Sequence, residues 1–378
     1  MKILILGLTI TSSWGNGHAT TFRALCRAVH ARGHSIDFIE KDVEWYRSHR
    51  DLPEASYCRI HLYEDWNVDG RVRALQLAAD ADVIVIGSYF PDAIEATRTL
   101  LDAARCPVTF YDIDTPITIA KLRTEGRTDY LDAALIPSYA AYMSFTSGPM
   151  LQEIEQRFGS PLAVPLHCSV DADVYQPQEP QAAYRAELSY LGTYAADRQE
   201  KLMQFVDAPA QRLADRAFLV AGPMYPTDVS WAPNVRLLSH VAPAEHPAFY
   251  SSARFSLNLT RYDMVEAGYS PSVRLFEAAA CGAAILSDAW SGLETFLTPG
   301  EEIVTVGDAD DVLAALHGIS EADRLRMGQR ARERILASHT STHRAAEFER
   351  IVERLGESRS KAEPSHEVGP ARSTVRAL

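Results

Sequence analysis

The sequence predicts an α/β protein in which two Rossmann-like domains, each with a doubly wound parallel sheet, face each other across a cleft. The length of 378 residues exceeds what one compact core usually holds. Short apolar runs alternate with segments of helical periodicity, which is typical of parallel α/β sheets. Prolines and polar residues interrupt this alternation at 171–180. We therefore expect functional loops at the carboxyl ends of the strands of both domains.

The N-terminal domain is predicted to span residues 1–170. Its apolar runs predict strands at Lys2–Leu8, Ser35–Asp42, Asp82–Tyr89, Pro107–Asp114 and Leu162–Leu166. Helices are expected near 20–32, 68–78, 92–104 and 149–158.

A linker at 171–185 is predicted to lead into a C-terminal domain at 186–340. Strands are expected at Glu187–Leu191, Arg216–Ala221, Val235–Leu238, Ser256–Asn258, Ala283–Ser287 and Ile303–Val306. Helices are expected to start near residues 197, 272, 309 and 320, the last of these with a capping box. Residues 341–355 predict a final amphipathic helix, and 356–378 lack apolar periodicity and predict a disordered tail.

Composition and charge narrow the possible partners and compartment. The net charge of −13 argues against a nucleic-acid partner, because phosphate binding requires clustered lysine and arginine. The five cysteines are dispersed, which indicates reduced thiols rather than a disulfide framework. The apolar run at the N-terminus is short, and no stretch reaches the length of a membrane helix. We expect a cytoplasmic protein without an integral membrane segment.

The most informative segment runs from Gly268 to Ser287. It predicts a loop, a helix, a glycine stop and a buried strand. Arg274 and Glu277 lie three residues apart and share one helix face, whereas small and apolar residues cover the other. Loop amides suit phosphates, and a carboxylate near a helix start suits ribose hydroxyls. The alternative is a structural helix with an exposed Arg–Glu pair.

This segment resembles the donor-binding motif of GT-B glycosyltransferases, in particular that of the CgeB-like, spore-maturation branch. The resemblance implies that Glu277 binds the ribose of a nucleotide-sugar donor. It also implies that the loop residues Tyr269, Ser270 and Ser272, together with Arg274, bind the diphosphate. The widespread retaining motif carries an earlier glutamate, and that position is occupied by Tyr269 here.

The resemblance assigns two further segments to donor binding. Gly192 and Thr193 join a strand to a helix, and Arg198 adds a positive charge, although the segment also fits an ordinary βα turn. The resemblance places these residues at the diphosphate. It also places the base against backbone atoms of Ser239, His240 and Val241. The expected co-substrate is a nucleotide-sugar, with a UDP-sugar favoured over a GDP-sugar, and no cofactor is expected.

The loop after the first strand contains Gly15, Asn16 and Gly17, followed by His18. It matches neither the dinucleotide fingerprint nor the P-loop, but it resembles the glycine-rich first loop of GT-B enzymes. His18 is a candidate general base or phosphate partner, with helix capping or loop packing as the alternative.

Asp112 and Asp114 are the remaining catalytic candidates. They lie at i and i+2 where a strand ends before Thr-Pro, so we expect their side chains on one side. CgeB-like proteins carry a similar Tyr-Asp-x-Asp-Thr-Pro element, which implies that one carboxylate positions or deprotonates an acceptor hydroxyl. Asp114 is favoured because it lies nearer the strand's end, and turn capping is the alternative. His167 and Cys168 have no second cluster of ligands nearby, so no metal site is expected.

The resemblance implies a metal-independent glycosyltransferase, and similarity to the retaining branch suggests retention of the anomeric configuration, with inversion as the alternative. It also implies that the acceptor is a polysaccharide, a protein or a small metabolite. A sugar-nucleotide epimerase of the same fold would instead convert the donor without an acceptor. A non-catalytic nucleotide-sugar-binding protein would neither hydrolyse nor transfer the sugar.

Overall fold

A computed structural model describes residues 1–362 of the chain. The N-terminal sheet comprises β1 (Lys2–Leu6), β2 (Ser35–Lys41), β3 (Arg59–Tyr63), β4 (Val83–Gly87), β5 (Val108–Asp112), β6 (Ala141–Ser144) and β7 (Ala163–Pro165). All of its strands are parallel, in the order β3-β2-β1-β4-β5-β6-β7. The direction of winding reverses between β1 and β4, where doubly wound sheets open a crevice.

The C-terminal sheet comprises β8 (Leu188–Leu191), β9 (Phe218–Ala221), β10 (Val235–Leu238), β11 (Phe255–Asn258), β12 (Ile285–Ser287) and β13 (Val304–Thr305). Its strands are also parallel, in the order β10-β9-β8-β11-β12-β13. The same winding pattern therefore occurs twice, and the second crevice lies between β8 and β11.

The helices lie between the strands and at the end of the chain. In the N-terminal domain they are α1 (His18–Ala31), α2 (Glu44–Arg47), α3 (Arg71–Ala78), α4 (Ala93–Ala103), α5 (Thr115–Glu125) and α6 (Pro149–Gln156). The later helices are α7 (Ala196–Leu202), α8 (Ala208–Arg212), α9 (His246–Ser252), α10 (Tyr262–Ala267), α11 (Val273–Ala280), α12 (Ala309–Gly318), α13 (Glu321–Ser338) and α14 (Ser341–Ala362).

The predicted fold class is confirmed: both domains are Rossmann-like α/β units with parallel sheets. The elements that were not predicted include β3, β6, α2, α5, α9 and α10. The Thr-Pro pair at 115–116, interpreted as a strand end, also begins α5, because proline fits the first turn of a helix.

The last helix lies against the first one. Buried apolar residues of α14, including Phe348, belong to the same hydrophobic cluster as Phe22 and Leu25 of α1. Glu349 of α14 accepts a hydrogen bond from His34 Nε2 at 2.6 Å and also pairs with Arg32. The helix continues to Ala362, seven residues beyond the expected end at Leu355, and the rest of the predicted tail lies outside the described residues. Within residues 1–362, no helix combines the length and the apolar character needed to cross a membrane.

Candidate active site in the interdomain cleft

A cleft of about 600 Å³ lies between the carboxyl edges of the two sheets and is lined by both domains. Its position follows from the topology, because both crevices open toward it. The residues predicted from the sequence that line it are Gly15, Asn16, Gly17, His18, Asp114, Gly192, Thr193, Arg198, His240, Val241, Ser272, Arg274 and Glu277. Four other predicted residues, Asp112, Ser239, Tyr269 and Ser270, are not part of the lining.

Glu277 is a buried carboxylate at the cleft wall, only 5% exposed. The hydroxyl of Tyr250 donates to its Oε2 at 3.1 Å, and His246 Nδ1 lies 4.0 Å from the same oxygen. Small residues at the following positions of α11 pack this helix against the sheet, so the carboxylate has a fixed location. A carboxylate held in this way can accept hydrogen bonds from neighbouring hydroxyls of a bound ligand.

Arg274 lies on the same helix and is oriented by acceptors of the protein. Its Nε donates to Leu191 O, and its Nη1 donates to Asn258 Oδ1 at 3.2 Å. The guanidinium also lies over the ring of Tyr190, with 4.7 Å to the ring centroid. These acceptors carry no formal charge, so the positive charge of Arg274 remains available for an anion.

Two more guanidinium groups of the C-terminal domain line the cleft. Arg198 Nη2 donates to Thr193 O at 2.8 Å, and its buried Nε has no partner in the described part of the protein. Arg261, which sequence reasoning missed, is paired with Asp197 at 3.4 Å. It follows β11, so its place just beyond a buried strand is the signal that could have found it.

The ends of β8 and β9 approach each other closely at two glycines. A Cβ on Gly222, whose φ is +142°, would overlap the carbonyl of Gly192. A Cβ on Gly192 would lie 2.6 Å from Arg274 Nη2. Only glycine fits at Gly222, whereas a side chain at Gly192 would have to displace the end of Arg274. Gly222 was not predicted, because the contact joins segments that are distant in sequence.

On the N-terminal side, His18 is the first residue of α1 and only 7% exposed. Its ring meets Tyr89 edge-on with centroids 5.2 Å apart, and its Nδ1 has no partner among residues 1–362. Burial lowers the pKa of His18 below its ordinary 6.5, and the nearby Asp114 carboxylate partly opposes this. The imidazole is therefore neutral at pH 7 and can accept a hydrogen bond.

Asn16 shapes the loop that carries His18. Its Oδ1 accepts from Ala19 N at 3.1 Å, and its Nδ2 donates to Trp14 O at 3.1 Å. The ring of Trp14 lies 4.7 Å from that of His240, so this loop touches the C-terminal domain across the cleft.

Asp112 and Asp114 do not lie on one side, contrary to the sequence-based expectation. The strand ends at Asp112, whose carboxylate is fully buried and accepts from Tyr142 Oη, Thr118 Oγ1 and Asp114 N. Asp114 occupies the N-cap position of α5 instead, without a capping hydrogen bond from its side chain, and it lines the cleft. The i, i+2 rule failed because the backbone leaves the strand between the two residues.

The buried Asp112 predicts a measurable pH dependence of stability. Burial raises the pKa of its carboxyl to about 6, and the hydrogen bonds from Tyr142 and Thr118 oppose this. The folded protein therefore binds this proton more tightly than the unfolded chain, where the pKa is near 3.8. This contribution to stability is fully present below pH 3.8 and is lost as the pH rises through 6.

We expect Asp112→Asn to remove this dependence. Between pH 5 and pH 8 the wild type should lose about 1 kcal/mol more unfolding free energy than the variant. Urea unfolding at both pH values measures the difference, and Asp215→Asn, at an exposed position, is the control. Equal pH dependence in wild type and Asp112→Asn would contradict the prediction.

Tyr269 and Ser270, which also lie outside the cleft lining, belong to the loop 268–272 before α11 and contact the N-terminal domain. Ser270 is 1% exposed, and its Oγ accepts from Thr146 Oγ1 at 2.8 Å. The ring of Tyr269 packs against Gly148 of the N-terminal domain.

Within residues 1–362, no cluster of His, Cys, Asp and Glu has the composition to hold a metal ion.

A comparison with known protein families gives one match, and it covers most of the C-terminal domain. A family model described as "Glycosyl transferase-like" matches residues 198–350, less than half of the 378-residue chain. This segment contains Arg198, Arg261, Arg274 and Glu277. The comparison with curated protein sequences finds no significant match.

Solved structures with the same architecture cover nearly the whole chain. A sucrose-phosphate synthase from Thermosynechococcus elongatus is 14% identical with a TM-score of 0.68, over 94% of this chain and 99% of its own. An alpha-glucosyltransferase in complex with UDP is 13% identical with a TM-score of 0.67, over 93% and 100%. HepE from Anabaena, in complex with UDP and glucose, is 12% identical with a TM-score of 0.64, over 96% and 100%.

At these identities the structural likeness concerns the fold, and the family match concerns the C-terminal domain. Together they show a GT-B architecture, of which residues 198–350 match a glycosyltransferase-like family model.

Proposed function

We propose that the protein transfers a sugar from a UDP-sugar to a hydroxyl group of an acceptor bound against the N-terminal domain. The observation that carries the proposal is the buried Glu277 beside the guanidinium groups of Arg198, Arg261 and Arg274 in one cleft. This arrangement offers a hydrogen-bond acceptor for ribose and positive charge for a diphosphate. Structural neighbours in complex with UDP support the choice of base.

The finer assignment is a CgeB-like enzyme that works without a metal and retains the anomeric configuration. The motif at 268–287 and the Tyr-Asp-Ile-Asp-Thr-Pro element at 111–116 support the branch. As the sugar leaves, negative charge develops on the diphosphate, and the three guanidinium groups stabilise it in place of a bound cation. EDTA is therefore expected to leave the rate of UDP release unchanged.

Retention implies that the acceptor attacks from the face that the diphosphate leaves. The bond between the acceptor oxygen and the anomeric carbon forms as the bond to the phosphate oxygen breaks. The acceptor proton passes to that phosphate oxygen. In this scheme His18 and Asp114, which both line the cleft, orient the acceptor hydroxyl.

The charge distribution of the cleft favours an uncharged acceptor. Among the described lining residues, the arginines all belong to the C-terminal domain, and no lysine is present. The N-terminal wall instead offers Asp114 and the rings of Tyr46 and Tyr89. An alpha-glucosyltransferase of this fold has been solved with UDP and a 13-mer DNA. The net charge of −13 and the absence of cationic residues on the described acceptor wall favour a sugar or another neutral hydroxyl compound here.

A thermal-shift screen tests the donor proposal. Purified protein is heated with UDP, GDP, ADP or dTDP and their sugar conjugates, without added metal. At a hundredfold excess over Kd, a ligand stabilises the native state by about 2.7 kcal/mol, so UDP should raise Tm by several degrees. No shift with any nucleotide would contradict the donor site.

Product analysis then separates transfer from the alternatives. Conversion of a UDP-sugar to its epimer without an acceptor would replace the proposal by an epimerase. Nucleotide binding without hydrolysis or transfer, across a panel of sugar, peptide and small-molecule acceptors, would favour a non-catalytic protein.

A further inference from the structure

The loop 268–272, which precedes α11, is called the donor loop here. Three of its consecutive residues are hydrogen-bonded to the N-terminal domain. Ser147 N donates to Tyr269 O at 3.1 Å, and Thr146 Oγ1 donates to Ser270 Oγ at 2.8 Å. The thiol of Cys168 donates to Pro271 O at 3.4 Å. The next residue in the chain, Ser272, occupies the N-cap position of α11, the helix that carries Arg274 and Glu277. The helix of the proposed donor site therefore starts from a segment fixed to the opposite domain.

Tyr269 has an unusual backbone and an unusual environment. Its φ of +49° lies in the left-handed region, which residues other than glycine rarely adopt. Its amide donates to Ser291 O at 2.6 Å. Its ring lies between Gly148 of the N-terminal domain and Gly292 of the C-terminal domain. A Cβ on Gly148 would lie 2.6 Å from the ring, so the slot exists only because this residue is glycine. Strained backbone persists where such surroundings enforce it.

On the N-terminal side of this contact, hydrogen bonds link Thr146 to the wall of the cleft at which the acceptor is proposed to bind. Thr146 N donates to Ser144 Oγ at 2.9 Å, and that hydroxyl is hydrogen-bonded to Thr115 Oγ1 at 2.7 Å. Thr115 is the first residue of α5 and directly follows Asp114, which lines the cleft. A continuous set of buried hydrogen bonds thus connects the donor loop with the start of α5.

We infer that Tyr269 is a positioning residue that docks the donor loop on the N-terminal domain and so sets Arg274 and Glu277 relative to Asp114. This inference rests on the proposed donor site. At this position the widespread motif has a glutamate, whereas the side chain here enters the slot between Gly148 and Gly292, outside the cleft lining. Its function is to keep the N-terminal and C-terminal walls of the cleft in a fixed relative position.

Gly148→Ala tests the inference together with substitutions of Tyr269, and Gly126→Ala is a control for alanine at a glycine of positive φ. The φ values are +66° and +73°, but ψ is −145° at Gly148 and −8° at Gly126, so alanine adds more backbone strain at Gly148. Only at Gly148 does the added methyl group meet the Tyr269 ring, because nothing lies within 4 Å at Gly126. We expect Gly148→Ala to weaken UDP binding about tenfold by calorimetry and to speed amide hydrogen exchange in residues 268–275. Gly126→Ala should change neither.

Substitutions of Tyr269 itself show whether the ring is responsible. Tyr269→Ala should reproduce the loss of affinity, and Tyr269→Phe, which keeps the ring, should bind UDP like the wild type. In a double-mutant cycle, Gly148→Ala should have little further effect in the Tyr269→Ala background. If Gly148→Ala does not fold, the comparison of Tyr269→Ala with Tyr269→Phe still decides the question.

Two outcomes would overturn the inference. One is unchanged UDP affinity in folded Gly148→Ala and Tyr269→Ala proteins, even if exchange in the loop becomes faster. The other is equal loss of affinity in Gly148→Ala and Gly126→Ala, which would indicate general strain. A wild-type protein that binds no UDP contradicts the proposed function instead, so the two failures are distinguishable.

Discussion

Replacing Glu277 by alanine is expected to weaken UDP binding by at least tenfold. The carboxylate is buried at the cleft wall, where its hydrogen bonds to ribose hydroxyls would be shielded from water. A hydrogen bond to a charged group contributes about 1.5–3 kcal/mol, and about 1.4 kcal/mol corresponds to a factor of ten in Kd. Titration calorimetry with UDP measures the effect directly.

Two comparison variants separate ligand binding from local packing. Tyr250→Phe removes the hydroxyl that donates to Glu277 but leaves the carboxylate in place, so UDP affinity should change far less. Glu266→Ala removes an exposed glutamate outside the cleft lining and should have no effect. Unchanged affinity in a folded Glu277→Ala protein would refute the ribose assignment.

Replacing His18 by alanine is expected to lower kcat about a hundredfold and to leave the Kd of UDP within twofold. The side chain lies on the N-terminal wall of the cleft, whereas the arginines belong to the C-terminal wall, and its Nδ1 has no partner among the described residues. Misplacement of a reacting group by about 1 Å can cost a factor of about 100 in rate. The rate of UDP release with a competent acceptor measures kcat.

The pH profile gives a second readout for His18. Burial lowers its pKa, so the neutral form persists below the ordinary value of 6.5. Activity that depends on neutral His18 should therefore fall only at pH values below 6.5, and the His18→Ala variant should lack this acidic limb. His30→Ala, at an exposed position of the same helix, is the control. A variant with normal kcat, or one in which kcat and UDP affinity fall together, would contradict the assignment.

The fold was largely predictable because buried parallel strands are nearly continuous apolar runs. The runs at β4 and β8 show this clearly, since every residue of β4 is buried. β3 was missed because it is an edge strand whose sequence, Arg-Ile-His-Leu-Tyr, is mostly accessible to solvent. Its pattern therefore lacks the apolar continuity on which the other assignments depended.

Residues of the cleft could be predicted where a loop and the charged residues that follow it belong to one short segment of the sequence. Glu277 and Arg274 belong to such a segment, and the structure places both in the cleft. Gly222 and Tyr250 contribute through contacts with distant parts of the chain, which periodicity does not encode. Asp112 was misplaced for a different reason: whether a side chain faces the cleft or the sheet depends on the residue at which the strand ends.

The packing of α14 on α1 has a consequence for how the protein is made. Helix α1 is synthesised early and α14 late, yet residues of both helices belong to one buried cluster. On the ribosome, the part of α1 that packs against α14 stays uncovered while the whole second domain is translated. The N-terminal domain thus completes its core only after α14 has emerged. Until then the nascent chain exposes a surface of the kind that chaperones bind.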